Sequence, residues 1–345
     1  MLLNITDLSG EPPHRQISHQ LQAKILAGDL QHGATLLPVK SFARAHRVSV
    51  QTVARAYQDL AREGLISFKN GTGAYVNAIS ASQKKALATH YLFSDAQESR
   101  RLEEELMMAQ KIQQRLLPSF LPSNDRFQLA AYSEPSRPLG GDYYDCLALD
   151  DHRFALIIAD ACGKGLPAAL LIAQIQAVIK NEVCHRNSLR QTMQNLNQYI
   201  KRYAAARHFV TLFYGIFDHH AGVLEFANAG HNHPVFVRKD GQVDFLKTTG
   251  PALGLLGEVD HQIQTMKING GDSILFYTDG VTEAMNRAQE EFGEPRLQSL
   301  LIRYRARSAQ EIVRLLIEDL NKFSSPAIGQ DDRTMMLLKV SADMP

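Results

Sequence analysis

Gly140-Gly141-Asp142-Tyr143-Tyr144-Asp145, followed shortly by Phe154-Ala155-Leu156-Ile157-Ile158-Ala159-Asp160, carries the reading of this 345-residue chain. Two later stretches repeat the theme: Ser273-Ile274-Leu275-Phe276-Tyr277-Thr278-Asp279-Gly280, and Gln330-Asp331-Asp332-Arg333-Thr334 running into Met335-Met336-Leu337-Leu338-Lys339-Val340. Short apolar runs bounded by Gly and Asp read as buried strands. A carboxylate at the edge of such a strand is costly to bury unless it is paired or holds a metal. Four such clusters, with no Lys or Arg run beside them, point to a hard-cation site built from oxygen ligands. Taken singly, each Asp-Gly or Asp-Asp also reads as ordinary turn chemistry.

The length favours two domains over one, and an apolar share of 45% is enough for a real core. A net charge of +1 argues against a chain wholly devoted to nucleic acid or to anionic membranes. Cys146, Cys162 and Cys184 are unevenly spaced and include no CxxC pair, which excludes a disulfide framework and a thiolate zinc site and fits a reducing cytoplasm. No signal peptide is evident. The longest apolar stretch, Leu166 to Ile179, is interrupted by Gln174 and Gln176 and is too short to span a bilayer. The expectation is a cytoplasmic protein with no membrane partner.

Residues 7–78 read as a compact, slightly basic unit. A helical pattern with Ile17, Leu21 and Ile25 starts near His14 and stops at Ala27-Gly28-Asp29; a second helix follows Pro38; Ser49 caps a third that carries Val53, Ala56, Tyr57 and Leu60 on one face. Leu65–Phe68 and Ala74–Val76 then flank Lys69-Asn70-Gly71-Thr72-Gly73, a hairpin with a Gly-rich basic tip. Helix, turn, helix and hairpin make a winged helix-turn-helix, whose third helix enters the major groove.

The carriers Ile25-Leu26-Ala27-Gly28-Asp29-Leu30, Val48-Ser49, Ala56-Tyr57-Gln58-Asp59-Leu60, Glu63-Gly64-Leu65-Ile66 and Gly71-Thr72-Gly73 resemble the DNA-binding domain of GntR-family regulators. The resemblance implies DNA contacts from Lys40, Arg44, Ser49, Gln51, Thr52, Arg55 and Lys69. The chain departs from the family at Lys40, Val50 and Ala54, where Arg, the residue best shaped for bidentate guanine contact, is usual. A competing reading keeps the fold but uses it for dimerisation or for sensing a partner.

Residues 79–118 are read as an amphipathic linker helix. Leu102, Leu106, Ala109, Ile112 or Gln113, and Leu116 make an apolar stripe on a charged segment that Pro118 ends. It either docks on the next domain or pairs with its twin.

Residues 119–342 mix strands and helices without regular βαβ alternation. Strand-like runs are Phe127–Ala131, Phe154–Ala159, Thr211–Phe217, Gly222–Ala227, Pro234–Arg238, Ser273–Tyr277 and Thr334–Val340; helical patterns cover 167–184, 189–205 and 309–323. The fold class is therefore α+β. The four acidic clusters, with Gly163-Lys164-Gly165, Thr211-Leu212-Phe213-Tyr214-Gly215, Asn228-Ala229-Gly230-His231-Asn232 and Leu253-Gly254-Leu255, resemble in order the PPM-type metal-dependent serine/threonine phosphatases of the SpoIIE/RsbU branch. That resemblance implies an αββα sandwich of two antiparallel sheets flanked by helices. It implies two divalent cations, Mn²⁺ or Mg²⁺, held by Asp142, Asp160, the Ala161 carbonyl, Asp279 and Asp331, with Asp142 and Asp160 at the catalytic centre. Asp332 and Asp145 are secondary candidates acting through water. Arg137 and Lys164 are candidate phosphate contacts. Cys162 reads as a packing residue, and His231 and His233 as loop-shaping residues.

The leading reading is an enzyme: a phosphoprotein phosphatase acting on a phosphoserine or phosphothreonine by metal-activated water and regulated through its N-terminal module. By resemblance, its substrate is an anti-sigma-factor antagonist and its state a homodimer. The alternative is a GntR-type transcription regulator whose phosphatase-like domain serves as sensor or dimerisation body.

Overall fold

The computed structural model describes residues 3, 5, 12–69, 73–204, 208–325 and 331–342, with only the backbone given for Ala81 and residues 85–99. The chain divides into two compact units, Met1–Glu103 and Glu104–Pro345.

In the first unit, α1 (Pro13–Ala27), α2 (Val39–His46) and α3 (Val50–Arg62) precede a hairpin of β1 (Ile66–Lys69) and β2 (Gly73–Val76). Each boundary has a local cause. Gly28, at φ 90°, ends α1 in the left-handed region that glycine tolerates. Pro38 precedes α2, and the Ser49 hydroxyl caps α3 by accepting from the Thr52 amide. Ile17, Leu21, Ile25, Phe42, Val53, Tyr57 and Leu60 close one core with Leu65, Ile66 and Val76. The winged helix-turn-helix is present as expected. Asn70, Gly71 and Thr72 of the expected wing tip lie outside the described residues.

The linker helix expected over residues 79–118 is α4, which runs Ala81–Gln114. No apolar period announces its first half, since Ala, Gln, Lys and Ser predominate there. Within the second unit, Leu106, Ala109 and Gln113 are half-buried while Met107, Met108 and Ile112 are exposed, so Gln113 rather than Ile112 lies on the packed side.

The second unit is a sandwich. One sheet has the order β10 (Gln264–Lys267), β7 (Val223–Ala229), β6 (Val210–Asp218), β5 (Arg153–Ala161), β4 (Asp142–Ala148). The other runs β3 (Phe127–Glu134), β12 (Arg333–Val340), β11 (Ser273–Tyr277), β8 (Val235–Val237), β9 (Val243–Phe245). Every pairing is antiparallel. Against the first sheet lie α5 (Leu166–Cys184) and α6 (Leu189–Tyr203), burying Ile172, Ile175, Met193 and Leu196 on Ala155, Ile157 and Ala159. Against the second lie α8 (Glu294–Tyr304) and α9 (Ala309–Phe323), burying Leu297, Leu301, Ile312 and Leu316 on Leu275, Leu337 and Met335. Between the sheets, Leu156, Ile158, Phe213 and Phe226 meet Phe236, Ile274, Phe276, Met336 and Leu338. Strands buried on both faces need no alternation, which is why β5, β11 and β12 read as unbroken apolar runs. Among the described residues, no helix is long and apolar enough to cross a membrane.

Candidate active site

The acidic clusters gather at one end of the sandwich because four strand ends stop there. Asp142 opens β4 and Asp160 lies next to the end of β5, and the register places them directly opposite each other. Like charges facing across a ladder repel. Asp279 is the first residue of a one-turn helix, α7 (Asp279–Thr282), that follows β11; Asp331 and Asp332 immediately precede β12.

Cross-sheet hydrogen bonds tie these ends together. The Thr278 hydroxyl donates to Asp142 Oδ2 at 2.7 Å and accepts from the Thr334 amide at 3.0 Å. Asp332 takes the Gly141 amide on Oδ2 at 2.6 Å, and on Oδ1 the Ser136 amide at 2.7 Å and hydroxyl at 2.9 Å. Asp332 is thus a clamp on the Gly140-Gly141 loop. Asp145 points elsewhere: it accepts from the Tyr143 hydroxyl and the Cys146 amide and lies 3.9 Å from Lys180 of α5.

Two glycines allow this convergence. A Cβ on Gly280 would sit 2.1 Å from the Asp332 carbonyl oxygen, so the 331–332 backbone crosses α7 where no side chain fits. A Cβ on Gly141 would meet the Ala161 carbonyl and the Ala168 methyl, each at 3.2 Å.

The electrostatics follow from burial plus crowding. Burial, reinforced by Asp279, Asp331 and Asp332, pushes Asp160 up to about 8. Burial and then Asp160 hold Asp142 well above the usual carboxylate range, and burial followed by Asp331 raises Asp279. The nearby cation is Lys164, whose ammonium lies 2.7 Å from Asp331 Oδ2. Gly165, its neighbour, has the Arg137 guanidinium beside it. Arg137, Lys164, Asp142, Asp160, Ala161, Asp279 and Asp331 are therefore brought to one end of the fold. Among the described residues, however, no three His, Cys, Asp or Glu side chains close on one point as a finished coordination sphere.

Two contributors escaped sequence reasoning. Gln113, near the end of α4, donates to the Gly140 carbonyl at 2.8 Å and accepts from the Gly140 amide at 3.1 Å, holding the residue two before Asp142 from both sides. Its polarity on the packed side of the stripe was the available signal. Thr278 was visible only as part of the Tyr277-Thr278-Asp279-Gly280 run. His231 behaves as a buried loop-shaping residue: its ring lies 2.8 Å from the Thr211 hydroxyl, its amide donates to Asn228 Oδ1 at 2.8 Å, and burial lowers its pKa to about 3. His233 lies 3.1 Å from the Thr248 hydroxyl.

In the first unit, Lys40 and Arg44 of α2, the cap Ser49, Gln51 and Arg55 of α3, and Lys69 of β1 are exposed, with Thr52 half-buried. The Ser49 and Thr52 hydroxyls lie 2.7 Å apart, and the Ser49 hydroxyl is already engaged in capping α3 by accepting from the Thr52 amide.

Comparison with known proteins bears on both units. The family model described as "Stage II sporulation protein E (SpoIIE)" matches residues 150–341, more than half of the chain, and that of "Bacterial regulatory proteins, gntR family" matches residues 13–76. Protein IcfG of Synechocystis is 32% identical over 261 residues, 67% of this chain and 41% of IcfG. Phosphoserine phosphatase RsbU of Bacillus subtilis is 30% identical over 240 residues, 69% of this chain and 70% of RsbU. The solved RsbU and RsbW domains of Rv1364c from Mycobacterium tuberculosis superpose with a TM-score of 0.57 at 25% identity, covering 65% of this chain and 62% of that one. The chain thus spans less than half of IcfG but more than two thirds of RsbU. With the αββα sandwich and its acidic end in place, the conclusion is direct: this chain belongs to the SpoIIE family of PP2C-type serine phosphatases and carries a gntR-family winged helix at its N-terminal end.

Proposed function

We propose that this chain is a metal-dependent protein serine/threonine phosphatase controlled by its winged-helix module. The observation that carries the reading is the crowding of carboxylates at the sandwich end, where Asp160 is raised to about 8 by burial and by Asp279, Asp331 and Asp332. The donors are all oxygens, which suits Mn²⁺ or Mg²⁺ rather than a thiolate-seeking metal. Asp142, Asp160, the Ala161 carbonyl, Asp279 and Asp331 would hold two such cations. Bound there, the ions would activate a water molecule and neutralise charge on the phosphoryl oxygens.

The chain's own residues do the rest. Thr278 and Asp332 orient the Asp142 end of the site from the opposite sheet. Arg137 and Lys164 would meet the phosphate, with Lys164 exchanging its Asp331 partner for the anion. No Cys or Ser nucleophile is called upon. RsbU, a phosphoserine phosphatase by name, supports a phosphoserine or phosphothreonine substrate, and we take that substrate to be a regulatory phosphoprotein of the anti-sigma-factor-antagonist kind.

Regulation is proposed to pass through residues 79–118, between a 7–78 DNA-binding module and a 119–342 catalytic module. Gln113 grips Gly140, and the exposed Met107, Met108 and Ile112 suit pairing with a second copy of α4. The exposed Lys40, Arg44, Gln51 and Arg55 suit contact with DNA phosphates.

The test is hydrolysis of p-nitrophenyl phosphate and of a phosphoserine peptide with and without Mn²⁺. Turnover that requires the metal and falls at least about 100-fold in Asp160→Asn and Asp279→Ala is expected. Metal-independent turnover, or wild-type rates in both variants, would remove the proposal. Salt-dependent binding of the full chain to its own promoter, without turnover, would favour the regulator reading instead.

A further inference from the structure

At the end of β12 opposite to the acidic site lies a cavity of about 500 Å³, lined by Lys239, Arg305, Arg307, Ser308 and Lys339 among others. Eight residues of extended strand separate the two ends, about 25 Å at the rise of a β-strand. Three elements supply the cations: the turn after β8 gives Lys239, the loop between α8 and α9 gives Arg305 and Arg307, and β12 gives Lys339.

The cations meet acids only at a distance. Among the described residues none of these four forms an ion pair within 4.0 Å. The acids in the neighbourhood, Asp240, Asp272 and Glu311, keep their charge but direct their oxygens at backbone amides or at a hydroxyl, and Glu311 acts on Arg307 and Lys339 through space. Asp272 accepts the Lys239 and Asn269 amides, and Glu311 closes a capping box with Ser308. The cavity is also shaped rather than incidental. The Lys239 stem lies over Gly271, where a Cβ would come within 2.9 Å of it. The Lys339 ammonium donates to the Arg305 carbonyl at 2.6 Å and to the Arg307 carbonyl, fixing the backbone of the loop that carries both arginines.

We propose that this cavity binds a diphosphate-bearing anion, free or carried on a nucleotide, at a site separate from the catalytic centre. The volume falls within the range of small-molecule sites and exceeds what a single phosphate fills. Four cations from three elements suit a diphosphate better than a monophosphate; the Arg305 guanidinium already donates to the Ile302 carbonyl at 2.8 Å, so the forked donor suited to its oxygens is Arg307, with the Lys239 ammonium beside it. Among the described residues the lining offers no aromatic ring for a base to stack on, so the diphosphate group is the recognised element.

The experiment is calorimetric titration of the full-length protein in EDTA, which removes metal-mediated binding at the acidic end, with sodium pyrophosphate, ADP and orthophosphate. One-site binding of pyrophosphate is expected, at least about tenfold tighter than orthophosphate. Equal affinity for ADP and pyrophosphate identifies the free diphosphate, and tighter ADP binding identifies a nucleotide carrier. The exposed pair Lys239→Ala/Arg307→Ala should weaken pyrophosphate at least tenfold while the unliganded thermal midpoint stays unchanged. Arg44→Ala/Arg55→Ala in the winged helix should bind as wild type does. Absence of pyrophosphate binding, wild-type affinity in the cavity variant, or loss confined to the winged-helix variant would overturn the assignment.

Discussion

Replacing Gly280 by Ala tests whether the acidic end works by close approach of backbones. The added Cβ would stand 2.1 Å from the Asp332 carbonyl oxygen, 3.0 Å from its carbon and 3.2 Å from the Asp331 carbonyl carbon. Cβ contacts below about 3.0 Å are essentially never seen, so one backbone must retreat by about 1 Å, and neither partner is a flexible side-chain tip. The retreat moves Asp279 on one side or Asp331 on the other, since both are sequence neighbours of the colliding atoms. A misplacement of about 1 Å costs roughly 100-fold in rate, and overpacking costs about 1–3 kcal/mol in stability. At about 2–4 °C per kcal/mol, the midpoint of the phosphatase unit should fall by roughly 2–12 °C while the fold survives. The assay is Mn²⁺-dependent hydrolysis of p-nitrophenyl phosphate alongside thermal melts. Gly257→Ala is the control, because nothing lies within 4 Å of a Cβ there. Wild-type turnover and midpoint in Gly280→Ala would refute the reasoning.

Three further outcomes follow from the same geometry. Thr278→Val removes the donor to Asp142 and the acceptor for the Thr334 amide, and should destabilise the unit by about 1–3 kcal/mol in denaturant melts, with Thr278→Ser restoring most of it. Gln113→Ala frees Gly140 from both of its bonds and should lower Mn²⁺-dependent kcat with a change in midpoint of only a few degrees; an unchanged kcat would detach α4 from the site. His231, with a pKa lowered from 6.5 to about 3, stays neutral in the folded state while the unfolded chain takes up a proton below pH 6.5. Its contribution is therefore full above pH 6.5 and declines by about 1.4 kcal/mol per pH unit as pH falls toward 3. Relative to wild type, His231→Gln should lose about 2 kcal/mol less between pH 6.5 and pH 5, read by urea melts; parallel pH profiles would place the proton elsewhere.

The sequence made legible whatever depended on local period and punctuation. Both sheets' doubly buried strands announced themselves as apolar runs, and Ser49, Gly28 and Pro38 marked the ends of the winged-helix elements because capping and glycine chemistry act within a turn. The elements it hid are the ones whose burial is one-sided or contextual. β4 opens on Asp-Tyr-Tyr-Asp and reads as a turn until β5 pairs with it residue for residue. β9 and β10 are short edge strands with three and four residues, too few to establish a period. α8 carries two buried leucines, Leu297 and Leu301, among polar neighbours, and its packing on the second sheet is what makes it a helix of the core.

At the candidate site the division is sharper. That Asp160, Asp279 and Asp331 belong together was visible in the pattern of strand ends, because each sits at the edge of an apolar run, while Asp142 was joined to them by the family resemblance of its Gly-Gly-Asp turn. Which acid faces which partner was not, because it depends on contacts between residues far apart in the chain. Asp331 and Asp332 are adjacent and chemically identical, yet Asp332 spends its oxygens on Ser136 and Gly141 while Asp331 meets Lys164. The extended chain sends successive side chains to opposite sides, so one carboxylate of the pair is consumed in holding the Gly-Gly loop and its neighbour is left facing the site. The same alternation separates Asp142, at the crowded end, from Asp145, which is buried against Tyr143 and Lys180. Paired acidic motifs at strand ends are thus better read as one positioning group and one functional group than as two equivalent ligands. Exchanging Asp332 for Asn should consequently disturb the Gly140-Gly141 loop first and the chemistry only through it.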